Sequence, residues 1–139
     1  MWTDTLLSLA DEIAAVRSVS PGRHDSHAAE KLQREREELD EALAAGDIVG
    51  AWTEVADVVY YAAKCVATQK MTEATARRIV STESASAGVD FDTAVRMGVA
   101  KYEVRIRNNE KGLVKTPAGD AREREAVVAC HWGYGKELT

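Results

Sequence analysis

Acidic side chains stand in two pairs on consecutive helical segments of this sequence. Glu38 and Glu41 form the first pair and Glu54 and Asp57 the second, each at a spacing of three residues. Because an α-helix turns by about 100° per residue, the members of each pair lie about 60° apart on one helix face. The segment between the pairs is short, so we expect antiparallel neighbouring helices whose acidic faces meet across a groove.

Carboxylates gathered in a partly dry groove have a specific chemistry. They repel one another, and they relieve the repulsion by taking up protons or by binding a cation. Ligands that are all oxygen select a hard ion, Mg²⁺ first and Mn²⁺ next. Because Mg²⁺ usually completes its shell with water and substrate phosphates, the pattern points to phosphoryl chemistry on a nucleotide-like substrate.

A solvated helix face is the simpler explanation for the first acidic pair, because its segment "EREELDE" has basic neighbours suited to ion pairs along a helix. The second pair is harder to explain in that way. Glu54 and Asp57 border Val58 and Cys65 inside an apolar helix, and charged residues beside a core seldom lie there without partners. Tyr61 lies about 40° from Asp57 and continues the same stripe.

A polar and basic stripe occurs on a later helix, where Lys101, Arg105 and Asn108 lie within about 60° of one another. Its simpler interpretation is a basic surface with long side chains lying along it. Its functional interpretation is a clamp for phosphates opposite a metal ion. The formal net charge of −5 argues against nucleic acid polymers and anionic membranes as partners.

The elements that position these residues are predicted to be helices, because apolar residues recur at helical spacing and no strand alternation is evident. The chain of 139 residues is expected to form one all-α domain, an antiparallel helical bundle of about four to five helices. The predicted helices run from about Trp2 to Ser18, Ser26 to Ala45, Ile48 to Thr68, Thr72 to Ser86 and Asp90 to Asn109. "EKGLVKTPAGD" is expected to be a loop, "AREREAVVA" a short added helix and "HWGYGKELT" a tail.

The remaining composition bears on assembly and compartment. The third helix has an apolar arc broad enough for more than one neighbour, so we expect a homo-oligomer. Asp4, Asp11 and Glu12 interrupt any signal-peptide core, and no apolar run is long enough for a membrane span. Cys65 and Cys130 are the only cysteines, too few for a zinc site, and they fit a reduced, cytoplasmic setting.

The acidic motif resembles that of a known family. "EELDE", a spacer of twelve residues and then "EVADVVYY" resemble the ExxE…ExxD signature of the MazG-like, all-α nucleoside triphosphate pyrophosphohydrolases. The later "KYEVRIRNNEKG" is also similar to that superfamily, which includes dimeric dUTPases and dCTPases. The resemblance covers about Ser26 to Lys111. It implies a pyrophosphohydrolase domain over residues 1–112 and a C-terminal extension over 113–139.

The resemblance also implies an activity. In that family four acidic residues bind Mg²⁺, for which Mn²⁺ is a possible substitute, and a metal-activated water attacks a phosphorus of the triphosphate. The products are a nucleoside monophosphate and pyrophosphate, and a homodimer or homotetramer is expected. Carried over by motif, the metal ligands would be Glu38, Glu41, Glu54 and Asp57; Glu37 or Glu38 would orient or deprotonate water; and the nucleotide would be held by Lys101, Arg105, Asn108 and Tyr61.

Three alternatives stand beside this interpretation. "EVADVVYY" is also similar to phosphoribosyl-ATP pyrophosphohydrolase, another branch of the superfamily. A non-catalytic helical oligomerisation module would need no metal at all. A di-iron carboxylate bundle requires a histidine three residues after a glutamate, and none of His24, His27 and His131 stands in that position.

Overall fold

The computed structural model describes residues 8–13, 27–113 and 116–136, with the backbone alone for residues 131–136. All the regular structure in these ranges is helical. Within these ranges there is no strand, so the predicted all-α class is confirmed. The described helical segments are α1 (8–13), α2 (Ala28–Ala44), α3 (Ile48–Ala67), α4 (Glu73–Ser86), α5 (Phe91–Glu110) and α6 (Pro117–Lys136).

Local sequence signals set the boundaries of the central helices. Gly46 follows α2 with a φ of 73°, a left-handed conformation that glycine adopts without strain. The side chain of Asp47 then caps α3 by accepting a hydrogen bond from the Gly50 amide at 3.0 Å. Thr72 and Asp90 cap α4 and α5 in the same way. Because the α2–α3 connection is so short, these helices pack side by side, as the sequence predicted.

Helix α3 is the centre of the bundle. It packs against α2, α4, α5 and α6, and its apolar arc is broad because it has neighbours on several sides. The buried residues of α3 are Ala51, Trp52, Val55, Ala56, Val58, Val59, Ala62, Ala63 and Cys65. The polar positions that remain on such a helix lie close to the core, so any charge placed there needs a partner.

Gly98 allows α5 to approach α3 closely. A Cβ atom at this position would fall on the Val59 side chain and lie 2.7 Å from its Cβ, too close for any side chain. The absence of a side chain therefore brings the two helix backbones together. Lys101 follows Gly98 by one helical turn, so the same contact delivers Lys101 to the polar edge of α3.

The C-terminal helix is longer than the sequence predicted. Residues Pro117–Asp120 were expected in a loop, yet α6 begins at Pro117 and its helical backbone continues to Lys136. Thr116 caps it by accepting a hydrogen bond from the Gly119 amide at 3.0 Å, and proline suits the first helical position. Part of the expected tail is thus helical, and α6 packs against α5 and α3.

The N-terminal helix was predicted over Trp2–Ser18, and only residues 8–13 of it fall within the described ranges. There, Leu9, Ala10 and Ile13 are buried in the same core as the other helices. Ser26, the expected cap of α2, lies outside the described residues. None of the described helices combines the length and apolar character needed to cross a membrane.

Candidate metal centre

Glu35 occupies an unusual place on α2. The buried residues of this helix are Ala28, Leu32 and Leu39, which form one apolar stripe. Glu35 lies in that stripe between Leu32 and Leu39, because steps of three and four residues return to the same helix face. The helix therefore directs one carboxylate towards α3 together with its apolar side chains.

Three carboxylates converge where α2 meets α3. One oxygen from each of Glu35, Glu38 and Glu54 lies within 4.8 Å of the other two. Glu38 follows Glu35 by about one turn on α2, and Glu54 faces them from α3. All three are half-buried, with the Glu38 side chain 38% exposed and 3.7 Å from the guanidinium of Arg34. The group, called here the carboxylate cluster, thus joins two helices and opens to solvent at Glu38.

The electrostatics of the carboxylate cluster favour a bound proton or cation. Burial, a hydrogen bond with Glu54 and the charges of Asp57, Glu54 and Glu38 raise the pKa of Glu35 to about 9. Burial also raises the pKa of Glu54, with the charges of Asp57 and Glu38 acting in the same direction, although its hydrogen bond with Glu35 opposes the rise. The raised pKa of Glu35 means that this carboxyl group keeps its proton at neutral pH when no cation is present.

The carboxylate cluster could hold a hard divalent ion. The Oε2 atoms of Glu35 and Glu54 are buried and lack a hydrogen-bond partner within the described part of the chain. Buried polar atoms are usually satisfied, and an ion is one of the explanations for an exception. The donor set is all oxygen, as Mg²⁺ and Mn²⁺ prefer, and Mg²⁺ can complete its shell with water on the side that Glu38 leaves open.

Asp57 lies beside the carboxylate cluster and is paired with a lysine. Its Oδ1 accepts a hydrogen bond from the Lys101 Nζ of α5, and both side chains are largely buried, at 16% and 8% exposure. The charge of Asp57 nevertheless contributes to the raised pKa of Glu35. Asp57 therefore belongs electrostatically to the carboxylate cluster while its hydrogen bond goes to α5.

A second ion pair continues from Lys101 to α6. Glu123 is buried, and its two carboxylate oxygens accept hydrogen bonds from Arg105 at 2.9 and 3.2 Å. Its Oε1 is also 4.0 Å from the Lys101 Nζ. Charges of alternating sign thus run from Asp57 on α3, through Lys101, to Glu123 on α6 and Arg105 on α5. We call these four residues the charge ladder.

Two of the acidic residues expected at the site lie elsewhere. Glu41 is exposed and is not a member of the carboxylate cluster, because it lies about 120° around α2 from Glu35. Glu37 is exposed as well, and its side chain accepts a hydrogen bond from Gln33 at 3.4 Å. The structure thus brings Glu35 to Glu38 and Glu54, in the place that the sequence analysis gave to Glu41.

The residues expected to bind substrate contact other residues of the chain in this structure. Lys101 and Arg105 belong to the charge ladder, where carboxylates neutralise them. Asn108 is buried and donates a hydrogen bond to the Gly119 carbonyl at 3.1 Å, so it ties α6 to α5. Tyr61 packs edge-on against Tyr60, with ring centroids 5.1 Å apart.

Glu35 and Glu123 are the two candidate residues that the sequence analysis missed. A signal for Glu35 was present, because it interrupts an apolar stripe that is otherwise continuous from Ala28 to Leu39. No comparable signal marks Glu123. Its burial depends on how α6 packs, and "AREREAVVA" has the composition of an ordinary solvated helix.

The fold and the candidate site together define an all-helical chain with a carboxylate cluster between two adjacent helices. Comparison with known proteins adds no relative: no family model matches the chain, and neither a curated protein nor a solved structure is significantly similar to it.

Proposed function

We propose that this chain is a Mg²⁺-dependent nucleotide pyrophosphohydrolase, which cleaves a nucleoside or deoxynucleoside triphosphate to the monophosphate and pyrophosphate. The observation that carries the proposal is the pair of buried carboxylate oxygens without hydrogen-bond partners, on Glu35 and Glu54, beside a third carboxylate from Glu38. The resemblance of "EVADVVYY" and its preceding acidic segment to the MazG-like superfamily supports the same assignment.

In this proposal the metal ligands are Glu35, Glu38, Glu54 and Asp57. The ion supplies Lewis-acid polarisation of phosphate oxygens and lowers the pKa of water. Glu38 is 38% exposed, and in this proposal its carboxylate orients or deprotonates water at the open side of the carboxylate cluster. Lys101 donates a hydrogen bond to Asp57, and in this proposal it supplies positive charge beside the phosphates.

Charge balance supports a cation at this position. The acidic side chains of the carboxylate cluster and charge ladder outnumber Lys101 and Arg105, which are the cations of the ladder. A triphosphate brings further negative charge, so a nucleotide cannot bind there without added positive charge. A divalent ion is the smallest addition that offsets both the carboxylates and part of the phosphate charge.

A non-catalytic helical oligomerisation module is the second candidate. One observation favours it: Lys101 and Arg105 are both neutralised by carboxylates of the chain itself, and a phosphate clamp needs positive charge that is available to the ligand. A scaffold of this kind would gain no stability from Mg²⁺, whereas a metal-dependent enzyme should, because an ion that binds the native state stabilises it.

The test is a panel of ribo- and deoxyribonucleoside triphosphates, together with phosphoribosyl-ATP, assayed with Mg²⁺ for release of pyrophosphate and monophosphate. We expect pyrophosphate from at least one substrate, and loss of the activity in EDTA. Glu35→Gln should abolish hydrolysis. Glu41→Gln should retain it, because Glu41 is an exposed glutamate on the same helix. Absence of pyrophosphate from every substrate, with no effect of Mg²⁺ on stability, would favour the oligomerisation module.

A further inference from the structure

We infer that Glu123 of α6 is a positioning residue for the candidate metal centre and acts on it through Lys101. The inference rests on the proposed function and adds a residue from a helix that neither the acidic motif nor the resemblance includes. Its basis is the geometry of the charge ladder, in which one buried carboxylate lies between two cations of α5.

Glu123 lies near two cations, Lys101 and Arg105, although one would be enough to pair its charge and connect α6 to α5. Its side chain is 5% exposed, and a carboxylate this deeply buried is costly unless it is paired. Arg105 alone would satisfy that requirement, because it donates two hydrogen bonds to the carboxylate. Yet Oε1, which lies 2.9 Å from the Arg105 Nη2, also lies 4.0 Å from the Lys101 Nζ. Glu123 is therefore a second anionic neighbour of Lys101.

Lys101 competes with a metal ion for Asp57. Lys101 donates a hydrogen bond to the Asp57 carboxylate. The proposed ion needs the oxygen atoms of that same carboxylate, or its negative charge. A lysine ammonium is a compact charge on a flexible stem, so it can exchange partners over a short distance. Since the Lys101 side chain is 8% exposed, it cannot turn to solvent cheaply when Asp57 turns to the ion. Glu123 provides the negative charge that keeps Lys101 stable during that exchange.

Removing the charge of Glu123 should therefore weaken metal binding. Glu123→Gln keeps the length of the side chain and a hydrogen-bond acceptor for Arg105, but leaves Asp57 as the one carboxylate within 4.0 Å of the Lys101 Nζ among the described residues. We expect the affinity for Mn²⁺, measured by electron paramagnetic resonance without nucleotide, to fall at least about fivefold. Glu125→Gln is the matched control, because Glu125 is exposed on the same helix and its loss should leave the affinity unchanged.

A double-mutant cycle separates action through Lys101 from other effects. In a Lys101→Met background, Glu123→Gln should change Mn²⁺ affinity little, because the competitor for Asp57 is already absent. If Glu123 acts only by its long-range charge, or only by fastening α6, the substitution will weaken Mn²⁺ binding equally in both backgrounds, and the inference is overturned. Circular dichroism of each variant verifies that the helices are retained.

Two further measurements bear on the role of Glu123. If Glu123→Gln does not fold, Glu123→Asp is the second variant, because it retains the negative charge and moves it away from Lys101 by one methylene. Glu123→Asp should lower the affinity for Mn²⁺, and an unchanged affinity refutes the inference. A wild-type chain that binds Mn²⁺ but hydrolyses no nucleotide contradicts the proposed function, while the Mn²⁺ cycle still decides the role of Glu123. A wild-type chain that binds no Mn²⁺ contradicts both.

Discussion

The substitution Glu35→Gln tests whether the Glu35 carboxyl holds a proton between α2 and α3. In the native state the pKa of Glu35 is raised from 4.5 to about 9 by burial, by the hydrogen bond with Glu54 and by neighbouring carboxylates. Between these pH values the native state binds more protons at Glu35 than the unfolded chain does. The free energy of unfolding in metal-free buffer should therefore fall as the pH rises through this window.

The size of the effect follows from the same shift. At about 1.36 kcal/mol per pKa unit, the rise would correspond to about 6 kcal/mol for a fully buried group. Because Glu35 is only half-buried, solvent screening reduces this value, and we expect a loss of about 2 kcal/mol between pH 5 and pH 9. Glu35→Gln replaces the carboxyl by an amide of similar size that does not titrate, so it should lose most of this pH dependence.

Urea unfolding followed by circular dichroism, near pH 5 and near pH 9 in EDTA, measures the change. Glu41→Gln is the control and should keep the wild-type pH dependence, since Glu41 is exposed and outside the carboxylate cluster. Millimolar Mg²⁺ should reduce the dependence in the wild type, because the ion displaces the proton. A wild-type stability that is constant or increases towards pH 9 would refute the reasoning, as would equal effects of the two substitutions.

Further predictions concern the other parts of the site and the assembly. Glu54→Gln should abolish hydrolysis and leave the helical fold intact, because it removes a ligand and relieves repulsion among carboxylates; circular dichroism and the pyrophosphate assay report both. Gly98→Ala should cost about 1–3 kcal/mol in urea unfolding, because its methyl group collides with Val59. Arg105→Ala should lower kcat/KM at least about tenfold, roughly 1.4 kcal/mol, because it leaves the buried Glu123 carboxylate, a neighbour of Lys101, without its two hydrogen bonds from Arg105. Arg107→Ala on the exposed face should be nearly silent. The resemblance to a superfamily that includes dimeric enzymes predicts at least a dimer mass by light scattering at micromolar concentration, and a monomer mass would exclude the homo-oligomer.

The helices were largely predictable because their signals are local. Apolar spacing and capping residues located α2 to α5 to within about two residues, as expected for strongly periodic segments. The start of α6 was missed although its signal is local too: Thr116 followed by Pro117 is a cap followed by a residue suited to the first helical position. Proline and glycine within a few residues of each other are also usual in loops, so the composition of this segment favours both structures.

The site was only partly predictable because spacing alone does not give the direction of a helix face. "EREELDE" contains two pairs of glutamates three residues apart, Glu35 with Glu38 and Glu38 with Glu41. The pairs can be distinguished only by their position relative to the apolar stripe, which places Glu35 towards the core. Glu123 could not have been identified by any spacing rule, since its contacts with Lys101 and Arg105 form only when α6 packs on α5.

The charge ladder also has a consequence for how α5 is seated in the bundle. Apolar burial is non-directional, so it specifies the register of a helix less sharply than paired charges do. Lys101 and Arg105 lie about one turn apart and are held by carboxylates on different helices, Asp57 on α3 and Glu123 on α6. A shift of α5 along its axis would leave buried charges without partners on both sides. The charge ladder therefore selects a single register for α5. Replacing its four residues by apolar residues of equal volume would keep the bundle compact, but α5 would lose its fixed position along the helix axis.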